Sequence, residues 1–138
     1  MLVLALGFSA CQPPEVEPTD PELREKLGLP ADVAIHRVNV GGRGEEVRFA
    51  PGRVQAAPGE LVQFLVTDRR LHVIRFVEDA LDDEQVAFLR ETGQLRSAPL
   101  VDPGARFVVT FEDAPPGEYP FESRGHGGRG RGLVVVNP

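Results

Sequence analysis

Three histidines, His36, His72 and His126, are the side chains of this sequence with the widest chemical range. Imidazole binds transition metals and also acts as a general base near neutral pH. Ser123 stands three residues before His126, so this pair suggests a nucleophile and its base. However, no acidic residue stands at a motif spacing that would orient the histidine, and no nucleophile-elbow pattern surrounds the serine. We therefore expect no hydrolase activity, and the chain is not predicted to be an enzyme.

Composition and charge describe a single acidic domain. The 138 residues are 41% hydrophobic, which is enough for one ordinary core. The 15 glycines and 13 prolines separate short alternating apolar runs, a composition typical of a turn-rich β protein. The formal net charge of −6 argues against general nucleic-acid binding, which usually needs a basic domain. We expect no nucleic-acid partner.

The single cysteine, Cys11, follows an apolar run over residues 1–8 and the small residues Ser9 and Ala10. The run is shorter than the roughly 20 apolar residues that span a bilayer, and it fits the apolar stretch of a secretory signal. Small residues ending at a cysteine resemble the bacterial lipobox, although Phe8 replaces the usual aliphatic residue and no Lys or Arg precedes the run. The resemblance implies an exported protein of the cell envelope or periplasm, anchored to the membrane through a lipid on Cys11. The alternative is a soluble chain with an apolar N-terminus.

The residues after Cys11 divide into a tether, a short helix and a series of strands. Residues 12–19 are acidic and proline-rich, which is typical of a stiff, extended tether. Asp20-Pro21-Glu22 has the composition of a helix start, and the helix is expected to close at Gly28. From there the apolar period changes to two. The predicted division is a lipoprotein-type signal over 1–11, a tether with a short helix over 12–30, and a β domain over 31–138.

Short apolar stretches divided by Pro-Gly turns predict a mostly β protein with the architecture of a sandwich. The predicted strands lie over 31–40, 47–54, 61–67, 71–77, 107–111, 119–124 and 133–136, the second being interrupted at Pro51-Gly52. One stretch differs from the others. Asp82-Asp83-Glu84 precedes apolar residues at helical spacing, which predicts an inserted helix over 82–92.

Three segments of the β domain resemble the plastocyanin and azurin group of the cupredoxins, the small blue copper proteins. They are residues 54–64 with the turn Pro58-Gly59-Glu60, residues 71–76 with His72, and residues 116–126 with Ser123 and His126. The apolar run 132–136 then closes the chain, as the last strand does in that family. The resemblance covers roughly residues 31–138 and implies a Greek-key β-sandwich with a copper site at one end.

The resemblance also assigns the copper ligands one by one. His72 stands at the first histidine ligand, His126 at the second, and Ser123 at the ligand cysteine. The weak axial methionine would fall near Gly130, in a loop that holds only glycine and arginine, and Met1 is the single methionine of the chain. A blue copper centre needs a thiolate, which a serine hydroxyl cannot replace because it is a hard donor that stays protonated. Copper is therefore implied by resemblance only, and a type 1 blue site is not expected.

Three functions remain open at this point, the third being an enzyme built on the cupredoxin fold, which is favoured only if an open coordination position binds substrate. The first is a degenerate cupredoxin that serves as a non-blue binding or structural module of the cell envelope, with His72 and His126 hydrogen-bonded within the fold. The second is a protein that uses His72 and His126, with His36 as a third candidate ligand, to hold Cu(II) or Zn(II) for copper handling or electron transfer.

Five arginines flank the candidate ligands: Arg69, Arg70, Arg124, Arg129 and Arg131. If the resemblance holds, they surround one end of an otherwise acidic sandwich. A cation cluster disfavours a bound dication, and the planar guanidinium suits carboxylates and phosphates. The sequence therefore predicts an anion-binding surface or a docking surface for an acidic protein there. The alternative is a solvated loop whose arginines pair with nearby acids such as Glu122.

Overall fold

The computed structural model describes residues 20–125 and 128–138. The predicted signal, the tether up to residue 19, Cys11 and His126 lie outside these ranges. The elements are α1 (Pro21–Leu27), β1 (Ile35–Gly41), β2 (Arg48–Ala50), β3 (Arg53–Ala56), β4 (Leu61–Val66), β5 (Val73–Phe76), a 3₁₀ turn (Glu78–Ala80), α2 (Asp83–Glu91), β6 (Arg106–Thr110), β7 (Gly117–Gly125) and β8 (Gly128–Val136). Within the described ranges no helix is both long enough and apolar enough to cross a bilayer.

Strands that alternate between buried and exposed side chains form two packed sheets. The first sheet has the order β2-β1-β4-β6, and the second has the order β3-β8-β7-β5. The pairs β1–β4 and β3–β8 are parallel, whereas the other neighbours are antiparallel. Connections that cross between two sheets in this way produce a Greek-key sandwich. The predicted mostly β sandwich is confirmed.

The inner faces of both sheets form one hydrophobic core. Its aromatic centre contains Phe64, Phe76, Phe111, Tyr119 and Phe121, all fully or almost fully buried. Their rings meet edge-to-face at centroid separations such as 4.9 Å for Phe64–Phe121, a favoured arrangement of aromatic pairs. The Tyr119 hydroxyl donates to the Pro115 carbonyl at 2.5 Å, as in the tyrosine corner of other sandwiches.

The interruption at Pro51-Gly52 has a larger effect than the sequence indicates. The apolar pattern predicts one strand that continues beyond it. Instead β2 pairs with β1 in the first sheet, whereas β3 pairs with β8 in the second. The Pro-Gly step is therefore where the chain passes from one sheet to the other.

Both predicted helices are present. The Asp20 carboxylate accepts from the Leu23 N–H at 3.1 Å to cap α1, and Gly28 ends the helix in the left-handed region with φ 61°. Leu23 packs on Ile35 and Leu61, on the outer face of the first sheet. α2 begins with a capping box between Asp82 and Gln85, and its Leu89 is buried in the core.

The glycine- and arginine-rich segment over 127–131 is expected from the sequence to be a loop, and this expectation is wrong for its described part. β8 begins at Gly128 and pairs with β7 from Gly125↔Gly128 onward. The alternation of arginine and glycine is the alternation of a strand, with glycine inside. A Cβ on Gly130 would lie 2.7 Å from the Val47 carbonyl oxygen, and one on Gly132 would lie 2.3 Å from the Phe121 ring. Glycine is needed at both positions because neighbouring atoms already fill the space.

Candidate functional site

His72 lies immediately before β5 and is held there by its own backbone. Its N–H donates to the Leu100 carbonyl at 2.9 Å, and its carbonyl accepts from the Leu100 N–H at 2.8 Å. The residue is 1% exposed. This pairing fixes where the imidazole enters the interior, so the ring nitrogens must find partners inside the protein.

Ser123 supplies the partner of one ring nitrogen. It lies on β7 opposite Ile74 of β5, points inward and is 0% exposed. Its Oγ lies 3.1 Å from Nδ1 of His72. The structure thus brings together two of the residues that the sequence singled out, across 51 positions of the chain.

Asp68 binds the other ring nitrogen and was not singled out in the sequence. Its Oδ1 lies 2.7 Å from Nε2 of His72, and it also accepts from the Arg70 N–H at 3.1 Å. Burial alone would raise the pKa of the Asp68 carboxyl, but the hydrogen bonds from His72 and Arg70 hold this pKa below its usual value. The signal that could have identified Asp68 is its position four residues before a candidate ligand, in the turn after a buried strand.

Asp68, His72 and Ser123 therefore form one hydrogen-bonded chain, which we call the Asp-His-Ser chain. Because the ionised carboxylate only accepts, Nε2 carries a hydrogen and donates it to Asp68, and Nδ1 shares the second hydrogen bond with the Ser123 hydroxyl. The Asp-His-Ser chain begins after β4 of the first sheet and ends on β7 of the second, so it links the two sheets. Ser123 is fully buried, which leaves its hydroxyl no access to a substrate.

His36 is not brought to His72. It pairs with Val62 at the start of β4, and its Nε2 lies 3.1 Å from the Glu60 carboxylate. Asp68 follows the other end of β4, and the four residues from Val62 to Val66 span about 13 Å of strand. The structure therefore places His36 at the other end of β4 from the Asp68–His72 pair. Nor does any group of three or more His, Cys, Asp or Glu side chains in the described ranges have the spacing of a metal site.

The five arginines expected around one end of the sandwich are divided between two places. Arg70 bonds Asp68 through Nε at 3.1 Å and reaches the carbonyl groups of Gly44 and Glu46, at 2.8 Å for Glu46. It therefore fastens the loop between β1 and β2, while the neighbouring Arg69 is exposed.

The other three, Arg124, Arg129 and Arg131, lie on the outer face of the second sheet. Their neighbours in the strands, Ser123 and Gly130, are opposite each other and point inward. Three further arginines share this face. Arg75 lies opposite Glu122, Arg96 forms a bridge with Arg75, and Arg53 lies on β3 beside β8. We call the six residues Arg53, Arg75, Arg96, Arg124, Arg129 and Arg131 the arginine face. The sequence did not predict it because Arg129 and Arg131 were assigned to a loop.

Glu122 lies at the centre of the arginine face. The residue is 4% exposed, and its Oε1 accepts from Nε of Arg75 at 2.6 Å and from Nε of Arg124 at 3.2 Å. Burial alone would raise the pKa of Glu122, but the two guanidinium groups hold this pKa below its usual value. Pairing with Glu122, the alternative that the sequence left open, thus occurs for Arg124.

Comparison with solved structures identifies the fold as that of the cupredoxins. Oxidised plastocyanin from Dryopteris crassirhizoma is similar with a TM-score of 0.55 at 20% identity, over 73% of this chain and 99% of that one. A purple cupredoxin from Nitrosopumilus maritimus is similar with a TM-score of 0.50 at 20% identity, over 74% and 99% of the two chains. A search of curated proteins gave no significant match. The model of the copper-binding proteins of the plastocyanin/azurin family matches residues 36–137, and the chain belongs to this family.

The copper that this family binds does not fit the described residues as a blue centre. Ser123, which the resemblance assigns to the thiolate position, lies beside His72, and its Oγ is the partner of His72 Nδ1. A blue centre needs a soft thiolate donor, and the hydroxyl that lies 3.1 Å from His72 Nδ1 is a hard donor. The described residues therefore do not support the blue copper chemistry of the family.

Proposed function

We propose that this protein is a cupredoxin-fold binding or structural module of the cell envelope that does not carry electrons through a blue copper centre. The observation that supports this proposal best is the Asp-His-Ser chain. Both ring nitrogens of the buried His72 have protein partners, so this histidine needs no ion to satisfy its polar atoms.

Serine suits this position if no metal is bound. A buried cysteine without copper would be a protonated thiol, which is a weak hydrogen-bonding group, whereas a serine hydroxyl of similar size is a strong one. Its Oγ shares a hydrogen bond with His72 Nδ1, and in this proposal the bond takes the place of the link that a metal ion would make between β7 and the residue before β5. The fold of the family is retained while its ligand chemistry is replaced.

Export and a lipid anchor on Cys11 are part of the same proposal. They are supported by the sequence of residues 1–11 and by the proline-rich, acidic composition of residues 12–19. Mass spectrometry of the protein from a bacterial host that processes lipoproteins tests this part. We expect an acylated N-terminus at Cys11, and a Cys11→Ser variant released into the soluble fraction. An unmodified Cys11 in the mature chain would contradict it.

The second candidate function is binding of Cu(II) or Zn(II) through His72 and His126. One observation favours it: a carboxylate that accepts from one ring nitrogen, as Asp68 does from Nε2, is the usual partner of a metal-bound histidine. Such an ion would have to break the bond between His72 and Ser123. We therefore expect any metal affinity to be weak in the natural chain.

Titration with Cu(II) under oxidising conditions separates the two functions. The readouts are the optical spectrum and paramagnetic resonance, for the natural chain and for His72→Ala. His36→Ala is the matched control because His36 lies opposite Val62, at the end of β4 that is remote from Asp68. The proposal predicts no stoichiometric binding that depends on His72. Tight binding that is lost in His72→Ala but kept in His36→Ala would establish the second function instead.

A Ser123→Cys variant calibrates the same titration. It restores the soft donor beside His72, so we expect tighter copper binding than in the natural chain and a new intense visible absorption. An intense blue colour in the natural chain would overturn the assignment of Ser123 to the thiolate position.

A further inference from the structure

Five residues of the arginine face lie in two rows that run across the second sheet, and Arg53, beside Leu133, lies in a third row. Arg75, Glu122 and Arg131 are directly opposite one another on β5, β7 and β8. Arg124 and Arg129 are directly opposite in the next row. Opposed residues on one face have Cβ atoms about 5 Å apart, and like charges in that position destabilise a sheet. Without a ligand, the pair Arg124–Arg129 therefore works against the fold.

The single buried acid of the face does not neutralise it. Glu122 contributes one negative charge against the six arginines, in a chain whose net charge is −6. Among the described residues, no ion pair involves Arg53, Arg96, Arg129 or Arg131. Glu118 lies on the same face of β7, four residues before Glu122, and Glu78 and Asp79 line one pocket with Arg75 and Arg96. The arginines still outnumber these acids, so this surface is more basic than the molecule as a whole.

Glu122 also determines how two guanidinium groups are presented. It bonds Arg75 and Arg124 through their Nε atoms. The terminal amino groups of both arginines bond no other residue within the described ranges, and the side chains are 40% and 52% exposed. An arginine held at Nε keeps these groups for a second, planar, bidentate acceptor. The buried carboxylate therefore orients the two arginines for a ligand.

The size of the surface indicates how extended that ligand is. Four neighbouring strands span about 14 Å, and the two rows lie about 7 Å apart along the strands. A single phosphate or carboxylate is much smaller than this area. Several carboxylates at the spacing of neighbouring side chains match it.

We propose that the arginine face binds a carboxylate-rich segment of another protein. The inference rests on the proposed binding role of the module and adds the location of the binding surface and the chemistry of its partner. An anionic lipid surface matches the geometry less well, because the tether leads into α1 on the outer face of the opposite sheet. The net charge of −6 argues against nucleic acid.

Anisotropy of a fluorescent octaglutamate peptide tests the proposal on the natural chain. The test variant is Arg129→Gln/Arg131→Gln. The matched control is Arg37→Gln/Arg48→Gln, which removes the same charge from exposed positions on the first sheet. We expect saturable binding at low salt, about tenfold weaker in the test variant and nearly unchanged in the control. Binding should also weaken as the ionic strength rises from about 0.01 M to about 0.15 M, because the Debye length falls from about 30 Å to about 8 Å.

The proposal would be overturned by no binding of octaglutamate at low salt or by equal loss in both double variants. Competition by inorganic phosphate at a concentration similar to that of the peptide, or retention on phosphatidylglycerol vesicles without peptide binding, would also overturn it. Self-association that disappears in Arg129→Gln/Arg131→Gln would identify a second copy as the occupant and would also refute it. The copper titration keeps the two proposals distinguishable, because the arginine variants leave His72 and Ser123 intact. Octaglutamate binding and copper binding can each fail without the other.

Discussion

Substitution of Ser123 by alanine is the most direct test of the Asp-His-Ser chain. The change removes the only described hydrogen-bond partner of His72 Nδ1. A buried polar atom that loses its partner costs about 1–3 kcal/mol. Ser123 is 0% exposed and His72 1%, so water cannot easily replace the hydroxyl, and we expect a loss of about 2–3 kcal/mol. Since about 1 kcal/mol corresponds to roughly 4 °C for a domain of this size, the melting temperature should fall by about 10 °C.

A double-mutant cycle separates this bond from a general loss of packing. We propose chemical denaturation of Ser123→Ala, His72→Leu and the double variant, with Ser97→Ala as the control. Ser97 is also buried, but its Oγ accepts from the Ile74 N–H at 3.0 Å and does not contact the imidazole. The effect of Ser123→Ala should fall below about 0.5 kcal/mol in the His72→Leu background, whereas that of Ser97→Ala should persist. If Ser123→Ala lowers the free energy of unfolding by the same amount in both backgrounds, the hydrogen bond between Ser123 and His72 does not stabilise the fold.

Three further predictions follow from the same contacts. The folded pKa values of Asp68 and Glu122 lie below their usual values, so their contribution to the free energy of unfolding is complete above about pH 4.5 and is lost as the pH falls through the depressed values. Glu122→Gln should therefore cost about 1–2 kcal/mol at pH 7 and nothing in strong acid. Urea unfolding at a series of pH values measures this difference. Tyr119 is the one tyrosine in a chain without tryptophan, so its phenolate absorbance can be followed alone. Burial raises the pKa of Tyr119 to about 12, and the phenolate absorbance should therefore appear only near that pH. A midpoint near pH 10 would show that the ring is accessible to solvent. Gly132→Ala should destabilise the domain by about 1–3 kcal/mol in thermal unfolding, whereas Gly52→Ala, whose nearest neighbour would lie 3.7 Å away, should have little effect.

Local sequence patterns were sufficient to predict the elements but not their partners. The period of two gave the strands, and Asp20, Gly28 and Asp82 gave the ends of the two helices, because these signals depend on neighbours in the chain. The passage of the polypeptide between sheets at Pro51-Gly52 depends on which strands pair with β2 and with β3, and these partners are distant in the sequence. No local pattern encodes that choice.

The candidate site also has residues that the sequence could predict and residues whose roles depend on partners distant in the sequence. His72 and Ser123 could be paired from the resemblance, since the family fixes their positions, and the structure brings them within 3.1 Å. Asp68 was missed because the family resemblance assigns no role to that position. The arginine face was missed because glycine next to arginine indicated a loop. The glycines are instead explained by the Val47 backbone and the Phe121 ring, which no pattern in residues 127–132 could reveal.

The two proposals meet on β7, where consecutive residues face opposite sides of the second sheet. Ser123 points inward and links β7 through His72 to Asp68, whereas Glu122 and Arg124 on either side of it point outward. In the copper-binding members that the family resemblance implies, the inward residue at this position carries the chemistry. In this protein the inward residue, Ser123, hydrogen-bonds His72, and the outward residues carry charge. Arg124 and Arg129 repel each other on that outer face, and the rest of the fold must offset this repulsion. Nine paired residues set the register of β7 with β8 and so the spacing of the arginines, and the bond from Ser123 to His72 fixes β7 from the inside. Loosening the interior with Ser123→Ala should therefore weaken octaglutamate binding even though Ser123 never reaches the surface.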